Sequence, residues 1–281
     1  MIYFTENDID RLIEDDVPLG DITTYLLGLS DKKGKIELFA RSAMTVCGVE
    51  EVVRMYKKVG LEIVSSLPSG TMLNEGDKLL EARGDAASIH TIWRSGGVLI
   101  EFASGIATRT RQLVKNAKAA NPDVVVAGTR KHPPYLKKVA LKALMAGGGI
   151  PHRTGISDTI LMFREHLLFT GGYKNLVSLI SKVKQQQKER KIVVEAHTYE
   201  EALLVAQAGA DAIQIDKMPP EIFKETATAG RNICPEICMI AAGGINARNA
   251  ADYARASADV LVTSWIYFAP PADIGVKILQ A

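Results

Sequence analysis

Cysteine is scarce in this chain, with three thiols in 281 residues, Cys47, Cys234 and Cys238. The Cys234–Cys238 spacing lacks a second ligand pair, which excludes a metal knuckle or disulfide framework and points to ordinary thiols of a cytoplasmic protein. Long apolar runs are missing too, and nothing approaches the roughly eighteen uninterrupted residues of a membrane span. Residues 1–16 carry six acidic side chains, so no secretory leader is expected. Net charge is only +2, which gives a nucleic acid no global attraction. His90, His132, His166 and His197 have no spacing that suggests a metal and are expected on the surface or in loops. Aromatic content is 6%, and Trp93, Trp265 and Tyr267 read as packing groups. What remains is 47% hydrophobic and 23% charged, an ordinary globular composition with room for one large or two modest domains.

Two textures divide the chain. Up to about Ser104 the pattern is mixed. Thr5-Glu6-Asn7-Asp8 reads as a capping box opening an acidic helix, Pro18–Asp21 as a turn, Ile36–Ala40 as a strand and Glu50–Val59 as a helix. Another strand is predicted over Lys78–Ala82, between turn residues, which suggests an α+β layer. From about Gly105 apolar runs alternate with helical patterns. Strands are predicted at Val124–Ala127, Thr159–Phe163, Ile192–Glu195, Ala212–Asp216, Ile237–Ala241 and Val260–Thr263. Helices are predicted at Lys174–Lys184, Glu200–Ala208, Glu221–Ala229 and Ala247–Arg255. Six such steps make a closed parallel barrel or a doubly wound sheet. Polar or glycine residues at successive strand ends favour the barrel.

The most informative block is Gly128–Arg153, GTRKHPPYLKKVALKALMAGGGIPHR. A helix from about Pro133 to Ala146 travels roughly 21 Å away from the preceding strand. The extended segment Gly147–Arg153 travels roughly 23 Å back. Arg130-Lys131 and His152-Arg153 therefore meet at one mouth. Two guanidiniums, an ammonium and an imidazole there suit a multiply anionic small molecule; the alternative is a solvated basic loop. Gly243-Gly244-Ile245-Asn246, with a helix after it, is either a phosphate cradle or a plain tight turn. Glu195 and Asp216 end successive strands. They can hold ribose hydroxyls or Mg²⁺, or merely cap loops and balance Lys131 and Arg153.

In this order the pieces resemble the quinolinate phosphoribosyltransferases, the carboxylating nicotinate-nucleotide pyrophosphorylases. The resemblance rests on Gly20-Asp21-Ile22-Thr23-Thr24, Ser104-Gly105-Ile106-Ala107-Thr108, Thr129-Arg130-Lys131, Gly147-Gly148-Gly149 with His152-Arg153, Glu195, Ala208–Asp211, Asp216 and Gly243-Gly244-Ile245. It implies an α/β sandwich domain over residues 1–104 and an incomplete six-stranded α/β barrel over residues 105–269, with residues 270–281 packing back on the first domain. It implies a homodimer with shared active sites, in which Arg94 reaches the partner's site. Implied substrates are phosphoribosyl pyrophosphate and an aromatic acid, with Mg²⁺ as cofactor. Lys131, Glu195 and Asp216 would be catalytic, the two carboxylates holding the metal directly or indirectly. Arg94, Thr129, Arg130, Lys131, His152, Arg153, Phe163, Ala242, Gly243, Gly244 and Ser264 would bind substrates.

The sequence departs from the family pattern at the site. Phe163 stands where the family has lysine, Lys217 follows Asp216 in place of asparagine, Ala242 replaces serine, Ser264 replaces glycine, and Tyr267-Phe268 replace threonine–histidine. In this it is most similar to the ModD pyrophosphorylase-like branch encoded with molybdate-transport genes. Phosphoribosyl transfer to a quinolinate-like acid is the leading expectation. The alternatives are the same donor with another heterocyclic acid, or a non-catalytic dimer binding an oxyanion or nucleotide in connection with molybdate transport.

Overall fold

The computed structural model describes residues 2–280. Contacts gather the chain into two compact units that interleave in sequence. The first takes residues up to 111, then 133–147 and those from 267 on; the second takes 112–132 and 148–266.

In the first unit α1 (Glu6–Glu14) starts with the predicted capping box. Thr5 Oγ1 accepts from the Asp8 amide at 3.1 Å, and the Asp8 carboxylate accepts from the Thr5 amide at 2.6 Å. α2 (Ile22–Leu26) begins after Asp21, whose carboxylate accepts from the Thr23 amide at 3.0 Å. Then come β1 (Lys33–Ala40), β2 (Met44–Thr45), α3 (Val49–Lys58), β3 (Glu62–Ser66), β4 (Met72–Leu73) and β5 (Lys78–Asp85). α4 (Ala86–Ala120) follows, 35 residues long, and its last nine residues belong to the second unit. Sequence periodicity does not announce this helix. Ile89, Ile92, Ile100, Ala103 and Ile106 are all buried, and Ser95-Gly96-Gly97 interrupts the pattern. Gly96 is needed there, because a Cβ would stand 3.0 Å from the Tyr56 ring and 3.1 Å from Val52 on α3.

Next along the chain are β6 (Val125–Gly128), α5 (Lys137–Ala146), β7 (Ile150–Pro151), β8 (Ile160–Met162), α6 (Arg164–Leu168) and α7 (Leu176–Gln186). β9 (Ile192–Ala196), α8 (Tyr199–Gln207), β10 (Ala212–Asp216), α9 (Pro220–Ile233), β11 (Cys238–Ala242), α10 (Ala250–Arg255), β12 (Val260–Thr263) and β13 (Ile274–Gln280) complete it. β13 returns to the first unit's antiparallel sheet, ordered β13-β1-β5-β3, and pairs with β1 from Gly34↔Gln280 to Ala40↔Ile274. β2 and β4 form a separate small pair.

The helix expected from Pro133 begins instead at Lys137. Tyr135 takes φ 63°, in the left-handed region, and the Leu136 amide closes a turn onto the Pro133 carbonyl at 3.3 Å. The helix expected from Ala247 likewise starts later, at Ala250, because Asn246 and Asn249 shape a loop before it.

The second unit holds one parallel sheet, ordered β7-β6-β12-β11-β10-β9-β8. Six strands are those predicted, and β7 adds a short seventh at one edge. Ala127, Leu161, Val193, Ala212, Ile240, Ala242 and Val262 form a single buried cluster. Side chains from β6, next to one end of the strand order, and from β8, at the other end, share it. The sheet is therefore curled around them into an incomplete barrel.

Close approach governs the turn that leads back from α5. A Cβ on Gly147 would lie 2.5 Å from the Ala107 carbonyl oxygen and 2.5 Å from Thr110 Cβ, both on α4. Gly147→Ala is expected to lower stability by about 2 kcal/mol through forced displacement. Denaturant unfolding should show a lower midpoint at unchanged slope; an unmoved midpoint would refute the close approach.

Candidate active site

Strand alternation builds the site. Ala127, Leu161, Val193, Ala212, Ala242 and Val262 point into the barrel, so residues an even number further along each strand share that face. Those positions are Thr129, Phe163, Glu195, Gln214 with Asp216, and Ser264. All of them line a cavity of about 410 Å³ at the strands' C-terminal ends, with Arg130, Lys131, His152, Arg153, Lys217, Ala242, Gly243, Gly244 and Trp265.

The cationic side forms as the sequence predicts. β7 runs parallel to β6 with Gly128 opposite Pro151, and the His152 amide donates to the Gly128 carbonyl at 3.0 Å. Arg130 and Arg153 consequently leave adjacent strand ends. Arg153 is only 8% exposed; its Nη2 donates to the Ile156 carbonyl at 3.0 Å, while its buried Nε has no partner among the described residues. Burial, then repulsion from Arg130, lowers its pKa from the ordinary value. His152 differs from its neighbours. Burial, with repulsion from Arg153, brings its imidazole down to about 4, so it is neutral at pH 7 and contributes hydrogen bonding rather than charge.

Across the barrel are the carboxylates. Gln214 Nε2 donates to Glu195 Oε2 at 2.8 Å, and His197 Nε2 stands 3.3 Å from Glu195 Oε1. Burial raises the Glu195 pKa, Gln214 and His197 oppose that rise, and nearby Asp216 adds to it. Gln214 is 6% exposed, and its Oε1 has no partner among the described residues.

Between the two sides lies the glycine turn. Gly243 and Gly244 take φ 81° and 78°, and the Gly244 carbonyl accepts from Asn246 Nδ2 at 2.9 Å and Asn249 Nδ2 at 3.1 Å. Buried Thr263 fixes the turn from below, donating to the Ile245 carbonyl at 2.6 Å and accepting from the Trp265 amide at 3.0 Å. The amides of Gly244 and Ile245 donate no hydrogen bond within the described residues. An anion seated at this turn would meet the loop's own amides, not the start of α10.

Phe163 forms an apolar wall. Its amide donates to His166 Nδ1 at 3.0 Å, and its ring stacks on the His166 ring at 5.8 Å. Arg164 turns away and donates to Glu201 on α8 at 2.7 Å. Arg94 belongs to the first unit and is not among the cavity's lining residues. Its guanidinium lies 4.1 Å from the Trp93 ring centre.

Sequence reading passed over three contributors. Gln214 lies two positions before Asp216 and His197 two after Glu195, so strand parity alone could have flagged both. Trp265, expected as packing, lines the cavity. Among the described residues no group of three or more His, Cys, Asp or Glu could hold a metal by itself. Nor is any helix long and apolar enough to cross a membrane.

Comparison with known proteins identifies this arrangement. Residues 21–104 match the N-terminal domain, and residues 106–277 the C-terminal domain, of quinolinate phosphoribosyl transferase. The chain belongs to that family. It is thus a phosphoribosyltransferase, a pentosyl-transferring enzyme. A Rhodobacter capsulatus protein bearing the name pyrophosphorylase ModD is 40% identical over 257 residues, covering 91% of this chain and 98% of that protein. A carboxylating nicotinate-nucleotide pyrophosphorylase named in Methanothermobacter thermautotrophicus is 30% identical, covering 96% and 97%. NadC from Streptococcus pyogenes shares the fold, with a TM-score of 0.89 at 22% identity over the full length of both chains.

The His152 shift makes a stability prediction. Its folded pKa of about 4 lies below the ordinary 6.5, so the unfolded chain takes the proton first as pH falls. Stability present above pH 6.5 should decline towards pH 4 by roughly 2–3 kcal/mol from this group. His152→Asn should flatten that part of the profile; an identical acid decline in both proteins would show that the imidazole is not held neutral.

Proposed function

We propose that the enzyme transfers the phosphoribosyl group of phosphoribosyl pyrophosphate to an aromatic acid of the quinolinate class. The observation that carries this reading is the division of charge across one mouth. Arg130, Lys131 and Arg153 occupy one side, Glu195 and Asp216 the other, and a glycine turn with undirected amides lies between. As pyrophosphate leaves, positive charge grows on the ribose anomeric carbon and negative charge on the leaving group. Glu195 and Asp216 stabilise the first and orient ribose hydroxyls; Lys131 stabilises the second. Arg130 and Arg153, with neutral His152, grip the acceptor's carboxylate while its ring nitrogen attacks. With quinolinate itself, the carboxyl beside that nitrogen then leaves as carbon dioxide and the ring carbon takes a proton.

Mg²⁺ suits this donor set only jointly with substrate. One or two carboxylates plus phosphate oxygens and waters make its usual shell, and Glu195 and Asp216 supply that number. Bound there, it would neutralise pyrophosphate charge. We further read the enzyme as a cytoplasmic homodimer in which Arg94, outside the barrel unit, serves the partner's site. The three free cysteines support the compartment.

Phe163 favours an acceptor other than quinolinate. A phenyl ring offers apolar area and no donor, and a missing charge-assisted bond is worth about 1.5–3 kcal/mol. Pyrophosphate release should be assayed with phosphoribosyl pyrophosphate, Mg²⁺ and a panel of aromatic acids. Weak turnover of quinolinate and stronger turnover of an acid with fewer anionic groups or a larger apolar edge are expected, with Phe163→Lys improving quinolinate use. No release with any acid would defeat the transfer reading. Efficient quinolinate use unaffected by Phe163→Lys would leave an ordinary acceptor.

Glu195→Gln should reduce turnover about a hundredfold or more while leaving the melting temperature nearly unchanged. Because burial raises the Glu195 pKa and the ionised form is the active one, the acid limb of kcat/KM should lie above the ordinary glutamate value. A limb at or below that value would exclude Glu195 as the titrating group.

A further inference from the structure

The residue after β10 is held in a costly backbone conformation. Lys217 has φ 59°, one of three non-glycine residues in the left-handed region among the described residues, and it alone of the three lines the active-site cavity. Glycine or asparagine suits such a position better, and strain of this kind concentrates where a side chain has work to do. The strain is locked by the glycine turn. The Lys217 amide donates to the Ala242 carbonyl at 2.9 Å, and a Cβ on Gly243 would stand 2.5 Å from Lys217 Cγ and 2.8 Å from its amide nitrogen. Gly243 thus lacks a side chain where the lysine stem passes.

Packing does not explain the lysine, because its side chain is 79% exposed. Its ion pair does not either. Nζ lies 3.9 Å from Asp216 Oδ2, a long and solvated contact of little value. The remaining property is an ammonium on a flexible stem, rooted against the turn whose Gly244 and Ile245 amides donate to no partner among the described residues. Two backbone donors can orient a phosphate but bring no formal charge. The cations of β6 and β7 enter from another part of the strand order.

Resting on the phosphoribosyltransferase reading, we infer that Lys217 is a substrate-binding residue, whose ammonium pairs with the sugar phosphate seated on the Gly243–Ile245 turn. It leaves Asp216 for that phosphate when substrate binds, which frees the carboxylate for the ribose. Lys131, on the far side, serves the pyrophosphate instead.

The test uses three ligands in calorimetric titrations of the whole protein: ribose 5-phosphate, phosphoribosyl pyrophosphate, and inorganic pyrophosphate with Mg²⁺. Lys217→Asn removes the ammonium but tolerates the left-handed backbone. It should bind ribose 5-phosphate roughly three- to tenfold more weakly, bind pyrophosphate as before, and melt at the same temperature or about 1–2 °C higher. Lys217→Arg should keep ribose 5-phosphate affinity within about twofold. Equal weakening of ribose 5-phosphate and pyrophosphate, or undiminished ribose 5-phosphate binding by Lys217→Asn, would overturn the assignment while leaving the phosphoribosyl reading intact. A wild type that binds neither ribose 5-phosphate nor phosphoribosyl pyrophosphate would overturn both.

Discussion

The pleat of a parallel strand is the constraint on which this site depends. Side chains alternate between faces with a period of two, so the face that fills the barrel is also the face that continues into its mouth. Ala127, Leu161, Val193 and Ala212 pack the interior; Thr129, Phe163, Glu195 and Gln214 stand two residues further on each strand. Packing below and chemistry above are one pattern. Moving any of these side chains to another position means shifting a strand's register, which would expose its buried partners at the same time.

That constraint lets charges of opposite sign coexist without collapsing onto one another. Cations enter from β6 and β7, whereas Glu195 and Asp216 rise from β9 and β10, with β11 and β12 between them in the strand order. Glu195 is engaged by Gln214 and His197 rather than by an arginine, which keeps the cationic side open to a ligand. The arrangement has a cost. Arg153 Nε and Gln214 Oε1 are buried without partners among the described residues, and each such group typically costs about 1–3 kcal/mol. His152 shows the same economy of charge. Largely out of water and beside the Arg153 guanidinium, the imidazole gives up its proton, so the mouth carries fewer cations than its residue names suggest.

Much of this was legible in the sequence because parallel barrel strands are short apolar runs with a marked end. All six predicted runs are strands, and the basic pairs of the Gly128–Arg153 block meet where chain geometry brings them. What stayed hidden has physical causes. α4 is buried around much of its circumference and carries Gly96-Gly97, so no clean stripe marks its 35 residues. Pro133-Pro134 looks like a helix start, yet Tyr135 turns left-handed and the helix waits until Lys137. Interleaving of the two units cannot be read from composition, since it is decided by contacts such as those of Gly147 with α4. Gln214 looks like one polar residue in an apolar strand until its parity with Asp216 is noticed.

The chain cannot offset Phe163 from next door. An arginine lies one position further along, but Arg164 opens α6 and is already committed to Glu201 on α8. Swapping these two side chains by a one-residue slip of β8 would also rotate Leu161 out of the interior cluster and lose its burial. An added cation must therefore come from a strand end or a following loop, not from β8. His166, stacked on Phe163 and accepting its amide proton through Nδ1, holds that ring in place as an apolar wall. On the proposed reading the acceptor would meet that wall with carbon and turn its anionic groups towards β6 and β7.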